Sequence, residues 1–309
     1  MRRKIGVVSM LLALWGGATA MAQTHDQLQK WCYGDATADQ TVRGCDAVIK
    51  AGRETPQDQA TAFNNRGTAY WNKAQYDRAI QDYDQAIKLN PNYANAFHSR
   101  GIAYDSKGQS DRAIQDYDQA IKLNPSQANV FFTRGKAYAK KGQSDRAIQD
   151  YDQAIKLNPK NADAIYMRGL AYDIKGQYDR AIQDYDQVIK LTPNDAGPFA
   201  IRCMARAIVN QLQPALADCN ESLRLRPNDA SALGCRGFTY LKLGLFDVAL
   251  FDYDAALRIE PNSVYSLFGR GIARRKTGDL AGGDADLAAA TAIKVDIAEA
   301  FAKYGLKDF

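Results

Sequence analysis

The block Asp-Arg-Ala-Ile-Gln-Asp-Tyr-Asp-Gln-Ala-Ile-Lys-Leu-Asn-Pro at 77–91 returns unchanged at 111–125 and 145–159, and nearly unchanged at 179–193. The chain therefore repeats every 34 residues, and Pro91, Pro125, Pro159, Pro193, Pro227 and Pro261 carry that spacing beyond the near-identical blocks. A chain of this kind buries apolar surface between neighbouring repeats instead of in one globular core, so its 309 residues count repeats, not domains.

Starting each repeat at Ala60, Ala94, Ala128, Ala162, Ala196, Ala230 and Val264 gives seven units: 60–93, 94–127, 128–161, 162–195, 196–229, 230–263 and 264–295. Each unit reads as two helices. The first is expected from about repeat position 2 to 14, stopping at a loop glycine such as Gly108, Gly142 or Gly176. The second is expected to start at an aspartate such as Asp77 or Asp111, placed to cap free N–H groups, and to end before the proline. The expectation is an all-α stack of helical hairpins.

Phe63, Gly67, Tyr70, Ala79, Tyr83, Ala86 and Pro91, and likewise Phe97, Gly101, Tyr104, Ala113, Tyr117, Ala120 and Pro125, have the spacing of a known signature. In these residues the chain resembles the tetratricopeptide repeat family, over roughly 60–295. The resemblance implies a right-handed superhelical solenoid whose concave face binds peptides or proteins. One departure stands out. Family members that clamp a terminal carboxylate use lysine at position 5 and asparagine at position 9, where this chain has Asn64 and Thr68, so that clamp is absent.

The copies themselves single out one face. The first helices of the first four units differ freely at positions 2, 5, 6, 9, 12 and 13, while their second helices are almost identical. At about 100° per residue those positions fall within an arc of roughly 120°. Drift on a bare solvated face is the simpler reading. The occupants argue for recognition, because aromatic and aliphatic side chains interleave with polar ones. The candidate ligand-binding residues are Asn64, Thr68, Trp71, His98, Ile102, Phe132, Lys136, Tyr166, Leu170, Met204, Phe238, Phe268 and Arg275. The face grows apolar and then basic towards the C-terminus, which suggests an extended peptide with apolar anchors and an acidic end.

Two invariant charges belong to the scaffold. Arginine recurs at position 7 (Arg66, Arg100, Arg134, Arg168, Arg202, Arg236, Arg270) and aspartate at position 23 (Asp82, Asp116, Asp150, Asp184, Asp218, Asp252, Asp286). Both border the apolar stripes, so each needs a partner, and a ladder of bidentate Arg–Asp pairs within or between units is expected.

Before the first unit, 23–59 reads as an N-terminal half-repeat cap, and Cys32 with Cys45 as the disulfide that staples it. In the fifth unit Cys203 and Cys219 replace the packing glycine and tyrosine. These positions face one another in the family, making Cys203–Cys219 a second candidate pair and leaving Cys235 over. Within 296–309 a last amphipathic helix, Ile297 to Leu306 with Phe301 and Tyr304, is expected to cover the open end of the stack.

Residues 1–22 read as a signal peptide: basic Met1-Arg2-Arg3-Lys4, an apolar run from Ile5 to Trp15, and Ala20-Met21-Ala22 before a cut at Gln23, with Ala18-Thr19-Ala20 the competing site. No cysteine follows the run, so a lipoprotein is not expected, and the reading is a periplasmic or secreted protein without membrane insertion after cleavage. The leader holds Arg2, Arg3 and Lys4, three of 40 basic residues, leaving 37 against 35 acidic ones, too even a balance for nucleic-acid binding. No metal-ligand spacing, phosphate loop, nucleophile elbow or carboxylate pair stands outside the scaffold, so no enzyme activity, cofactor or metal is expected. The function expected is an envelope adaptor that binds protein or peptide partners, the alternative being a structural or assembly component of an envelope complex.

Overall fold

The computed structural model describes residues 24–307, so the expected signal peptide lies outside the described residues. Within them all regular structure is helical: α1 (His25–Tyr33), α2 (Ala38–Ala51), α3 (Pro56–Asn72), α4 (Tyr76–Leu89), α5 (Ala94–Ser106), α6 (Ser110–Leu123), α7 (Ala128–Lys140), α8 (Ser144–Leu157) and α9 (Ala162–Ile174). The series continues with α10 (Tyr178–Leu191), α11 (Ala196–Ile208), α12 (Leu212–Leu225), α13 (Ala230–Lys242), α14 (Phe246–Ile259), α15 (Val264–Thr277), α16 (Leu280–Ile293) and α17 (Ile297–Lys303). No described helix is long and apolar enough to cross a membrane.

The chain divides into two units, one ending at Pro91 and the other starting at Asn92. In the first, α1 to α4 pack in sequence, with Cys32 bonded to Cys45 between α1 and α2. In the second, every helix from α5 to α16 packs on the next, and first helices also meet in a row, α5 with α7, α7 with α9, α11 with α13 and α13 with α15. This row carries the variable face.

Why the hairpins close is visible in one recurring contact. A Cβ on Gly101 or Gly135 would come within 2.5 or 2.7 Å of the ring of Tyr117 or Tyr151, so only glycine lets the second helix lay its tyrosine against the first. In the fifth unit Cys203 and Cys219 occupy those two places and are bonded, with Cα atoms 5.4 Å apart. A covalent link there stands in for a packing contact.

The turns between paired helices need one left-handed residue. Gly108, Gly142, Gly176 and Gly244 provide it with φ of 75°, 70°, 69° and 73°, whereas Asn210 and Ala74 are held there at 63° and 55°. Asparagine tolerates that region and alanine does not do so readily. The second helices begin one residue earlier than the sequence suggested. Gln75, Gln109 and Gln143 are the N-caps and make no side-chain cap bond, so Asp77, Asp111 and Asp145 act as first-turn charges against the helix dipole.

The last helix differs most from expectation. The outward residues of α16, including Asp284, Ala285, Ala288 and Thr291, remain exposed, and α17 packs on α15 and α16 and, through Phe301, on Phe238 of α13. Asp284 and Thr291 stand where earlier units carry isoleucine or leucine, for example Ile148 and Ile155, so this end of the array needs no lid.

Candidate functional site

The variable face is held by the charge ladder. In all seven units the arginine donates through Nε and Nη2 to the two oxygens of its aspartate. Arg134 meets Asp150 at 2.8 and 2.7 Å, and Arg66 meets Asp82 at 2.8 and 2.6 Å. The other five pairs have the same geometry. The remaining nitrogen reaches the preceding hairpin: Arg134 to Asp118, Arg168 to Asp152 and Arg202 to Asp186, each at 2.6 Å, and Arg236 to Asn220 at 2.9 Å. One guanidinium thus fixes two helices of its own hairpin and a third from its neighbour. Hydrogen bonding to Asp184, opposed by burial, raises Arg168 further above its ordinary range, so the ladder stays charged. Where arginine replaces the usual tyrosine, Arg206 and Arg274 add bonds to Asp218 and Asp286 at 2.8 and 2.9 Å.

In the first compact unit, Asn64 is buried and its Oδ1 has no partner, Thr68 is exposed, and Trp71 is half-buried. Thr68 accepts from Tyr83 at 3.3 Å and donates to the Asn64 carbonyl at 3.0 Å. Asn64 therefore serves packing more than contact, contrary to its expected place on a binding face.

Along α5, α7 and α9 the expected residues do come together on one row. His98, Phe132 and Tyr166 at position 5 each lie against the tyrosine of their own hairpin, with centroids 5.8, 6.1 and 6.0 Å from Tyr117, Tyr151 and Tyr185. Ile102 and Leu170 are half-buried, Lys136 is exposed, and Ile174 is 77% exposed. Lateral bonds stitch the row: His98 Nε2 lies 3.1 Å from Thr133 Oγ1, and Lys140 donates to Asp105 at 2.7 Å. Burial pushes His98 down to about 4, so it is neutral at ordinary pH. Burial also pushes the Asp173 carboxyl up to about 6, against the opposing hydrogen bond that Tyr185 donates at 2.6 Å.

Further along, the picture changes. Phe238 and Phe268 are each only 2% exposed, because α17 lies on them. The Phe301 ring sits 4.7 Å from Phe268, 5.8 Å edge-on to Phe238 and 6.3 Å stacked on Tyr265, and Tyr304 meets Phe238 edge-on at 6.1 Å. Lys242 Nζ donates to the carbonyls of Tyr304 at 2.9 Å and Ile208 at 3.1 Å, fixing the end of the helix. Met204 is half-buried beside a pocket of about 310 Å³ that Phe301 and Tyr304 also line. Arg275 does not form a free basic end, since it donates to Asp284 within its own hairpin at 2.6 Å. The expected acidic end of a ligand loses its support there.

Cys235 is the free cysteine among the described residues, and burial pushes its thiol up to about 12, which keeps it protonated and weakly nucleophilic. Lys242, the tether, is absent from the sequence reading, and Phe301, read there as part of the terminal amphipathic helix, was not placed on this face. The i, i+4, i+7 run Ile297, Phe301, Tyr304 was the available signal.

Models of the tetratricopeptide repeat match residues 60–93, 82–115 and 132–196, and a model of the TPR repeat matches 103–142. Among solved structures, that of YrrB, described as a TPR protein with an unusual peptide-binding site, is 21% identical over 61% of this chain and 95% of its own, with a TM-score of 0.54. MamA is 26% identical over 52% of this chain and 94% of its own, at 0.50. A tetratricopeptide repeat protein from Parabacteroides merdae is 18% identical over 86% and 98%, at 0.55.

Proposed function

We propose, for a chain that belongs to the tetratricopeptide-repeat family, the role of a non-enzymatic adaptor in the cell envelope that holds a protein or peptide on the first-helix row of α5, α7 and α9. The observation that carries this reading is the contrast within those units. Their second helices are almost invariant, whereas Ile102, Phe132, Tyr166, Leu170 and exposed Ile174 present a partly open apolar strip edged by Lys136. Apolar anchors within a polar rim are the anatomy of recognition surfaces. Half-burial against Tyr117, Tyr151 and Tyr185 holds the position 5 rings in place before a ligand arrives, which lowers the entropy cost of binding.

An oxidising compartment suits the two disulfides, and a leader at 1–22 supplies the route to it. N-terminal sequencing of the exported chain checks this part, and a mature form starting at Gln23 is the expected result.

The groove reading is tested by crosslinking in the native envelope, with Phe132→Ala/Tyr166→Ala as comparison. Partners captured by the parent chain are expected to be lost from the double variant while its circular dichroism stays unchanged. Recovery of the same partners by both chains would instead favour a structural component whose first-helix row is not used.

A further inference from the structure

On the outward side of the second helices, α14 departs from its equivalents. Repeat position 22 is exposed glutamine in the first four units, Gln149 for example, but it is Phe251 on α14, 69% exposed. Position 19 changes from arginine, as in Arg146, to Val248, 44% exposed, and position 26 from glutamine, as in Gln153, to Ala255. Since α14 packs its inner side on α13 and α15, this face is turned away from both. A large ring left in water beside a newly small residue is a knob next to a gap.

The charges on the same face are left free to pair. At about 100° per residue, Asp247, Phe251, Ala255 and Arg258 fall within roughly 80° of arc. Asp247 stands one turn before Phe251 and Arg258 two turns after it, and both are exposed. The equivalents of Asp247 receive a lysine from the next hairpin, Asp111 from Lys141 and Asp145 from Lys175, whereas the next hairpin has Thr277 in that place for Asp247. Asp254, at the edge of the face, is already held by Arg270 at 2.9 Å.

This face is complementary to itself when one copy is turned end for end. Set antiparallel, with Phe251 of each copy over Ala255 of the other, two such helices also bring each Asp247 within one residue of the opposite Arg258. A parallel pairing would instead set like charge on like. A lipid surface calls for clustered basic residues, and here a single arginine stands beside two aspartates.

We propose that the outward face of α14 is a self-association surface whose occupant is the α14 of a second copy, related by a two-fold axis, with Phe251 seated on Ala255 and Asp247 paired with Arg258 at both ends. The first-helix row is not used in this contact, so each dimer presents two rows. The inference does not rest on the groove reading above and is tested apart from it.

Sedimentation equilibrium of the full mature chain over a hundredfold range of concentration is the measurement, and a concentration-dependent dimer is expected. Phe251→Gln, which restores the residue of the first four units, is expected to raise the dissociation constant at least tenfold with circular dichroism unchanged. Asp247→Arg and Arg258→Asp alone are each expected to weaken it at least tenfold, and an equal mixture of those two chains to recover dimers, because every end contact is then between opposite charges. Phe132→Ala/Tyr166→Ala is expected to dimerise as the parent does. A parent that stays monomeric over the whole range, a Phe251→Gln chain that dimerises as tightly as the parent, or no recovery on mixing the two charge variants would each overturn the proposal. Cosedimentation of the parent with anionic lipid vesicles, lost in Phe251→Gln, would overturn it in favour of a membrane.

Discussion

Replacing Arg134 by methionine is expected to destabilise the chain by about 3 kcal/mol, because removing one partner leaves a buried charge behind. The structure apportions this cost. Asp150, 5% exposed at its side chain, accepts two of the guanidinium's bonds at 2.8 and 2.7 Å, whereas Asp118, 54% exposed, accepts one at 2.6 Å. The exposed limb is worth about 0–1 kcal/mol, so nearly all the loss falls on Asp150. Methionine keeps an apolar stem of similar length but loses the guanidinium carbon that lies 5.7 and 5.8 Å from the Phe131 and Tyr138 ring centroids. Urea unfolding of four chains measures this: the parent, Arg134→Met, Asp118→Asn, and Arg134→Met/Asp150→Leu. Asp118→Asn is expected to cost under about 1 kcal/mol, and the double variant to regain most of what Arg134→Met loses. The pH dependence follows. Burial already raises the Asp150 carboxyl against the opposing pull of Arg134, and without that pull it rises further, so the deficit of Arg134→Met is full at neutral pH and shrinks as acid protonates Asp150. A loss under about 1 kcal/mol for Arg134→Met, or an equal loss for Asp118→Asn, would refute the reasoning.

Three further outcomes are expected. Ala74→Gly relieves a left-handed alanine and is expected to stabilise by about 1 kcal/mol, read as a higher melting temperature. Gly135→Ala sets a Cβ 2.7 Å from the Tyr151 ring and is expected to cost about 1–3 kcal/mol in the same melt. Asp173, with its folded pKa raised to about 6, contributes stability that is present in acid and lost as pH rises through about 6. The parent is therefore expected to lose more stability than Asp173→Asn between about pH 4 and pH 7, and parallel profiles would count against burial of that carboxyl.

The hairpins were legible because their causes are local and repeated: a loop residue with positive φ, a proline past the second helix in six of the seven units, and a glycine–tyrosine contact recurring at the 34-residue spacing in most of them. The first rung of the ladder was legible for the same reason, since each arginine and its aspartate stand 16 residues apart in every unit. Its second rung, from Arg134 to Asp118 or Arg168 to Asp152, was overlooked although the acceptor recurs, because an exposed aspartate carries no sign of being a partner until neighbouring hairpins are stacked. The helix starts were misplaced by one residue because Asp77 and its equivalents suit both a cap and a first turn.

Periodicity marked α17 as amphipathic and Phe238 and Phe268 as members of the varying face, but not that the one would lie upon the other. Residues 297–303 could cover the exposed end of α16 or turn back onto α13 and α15, and the same apolar stripe serves both. Stacking settled it by bringing Phe238, Tyr265 and Phe268 beside Phe301 and setting Lys242 to receive the helix end. Local pattern says which side chains must be buried, whereas only the assembled surfaces say against what.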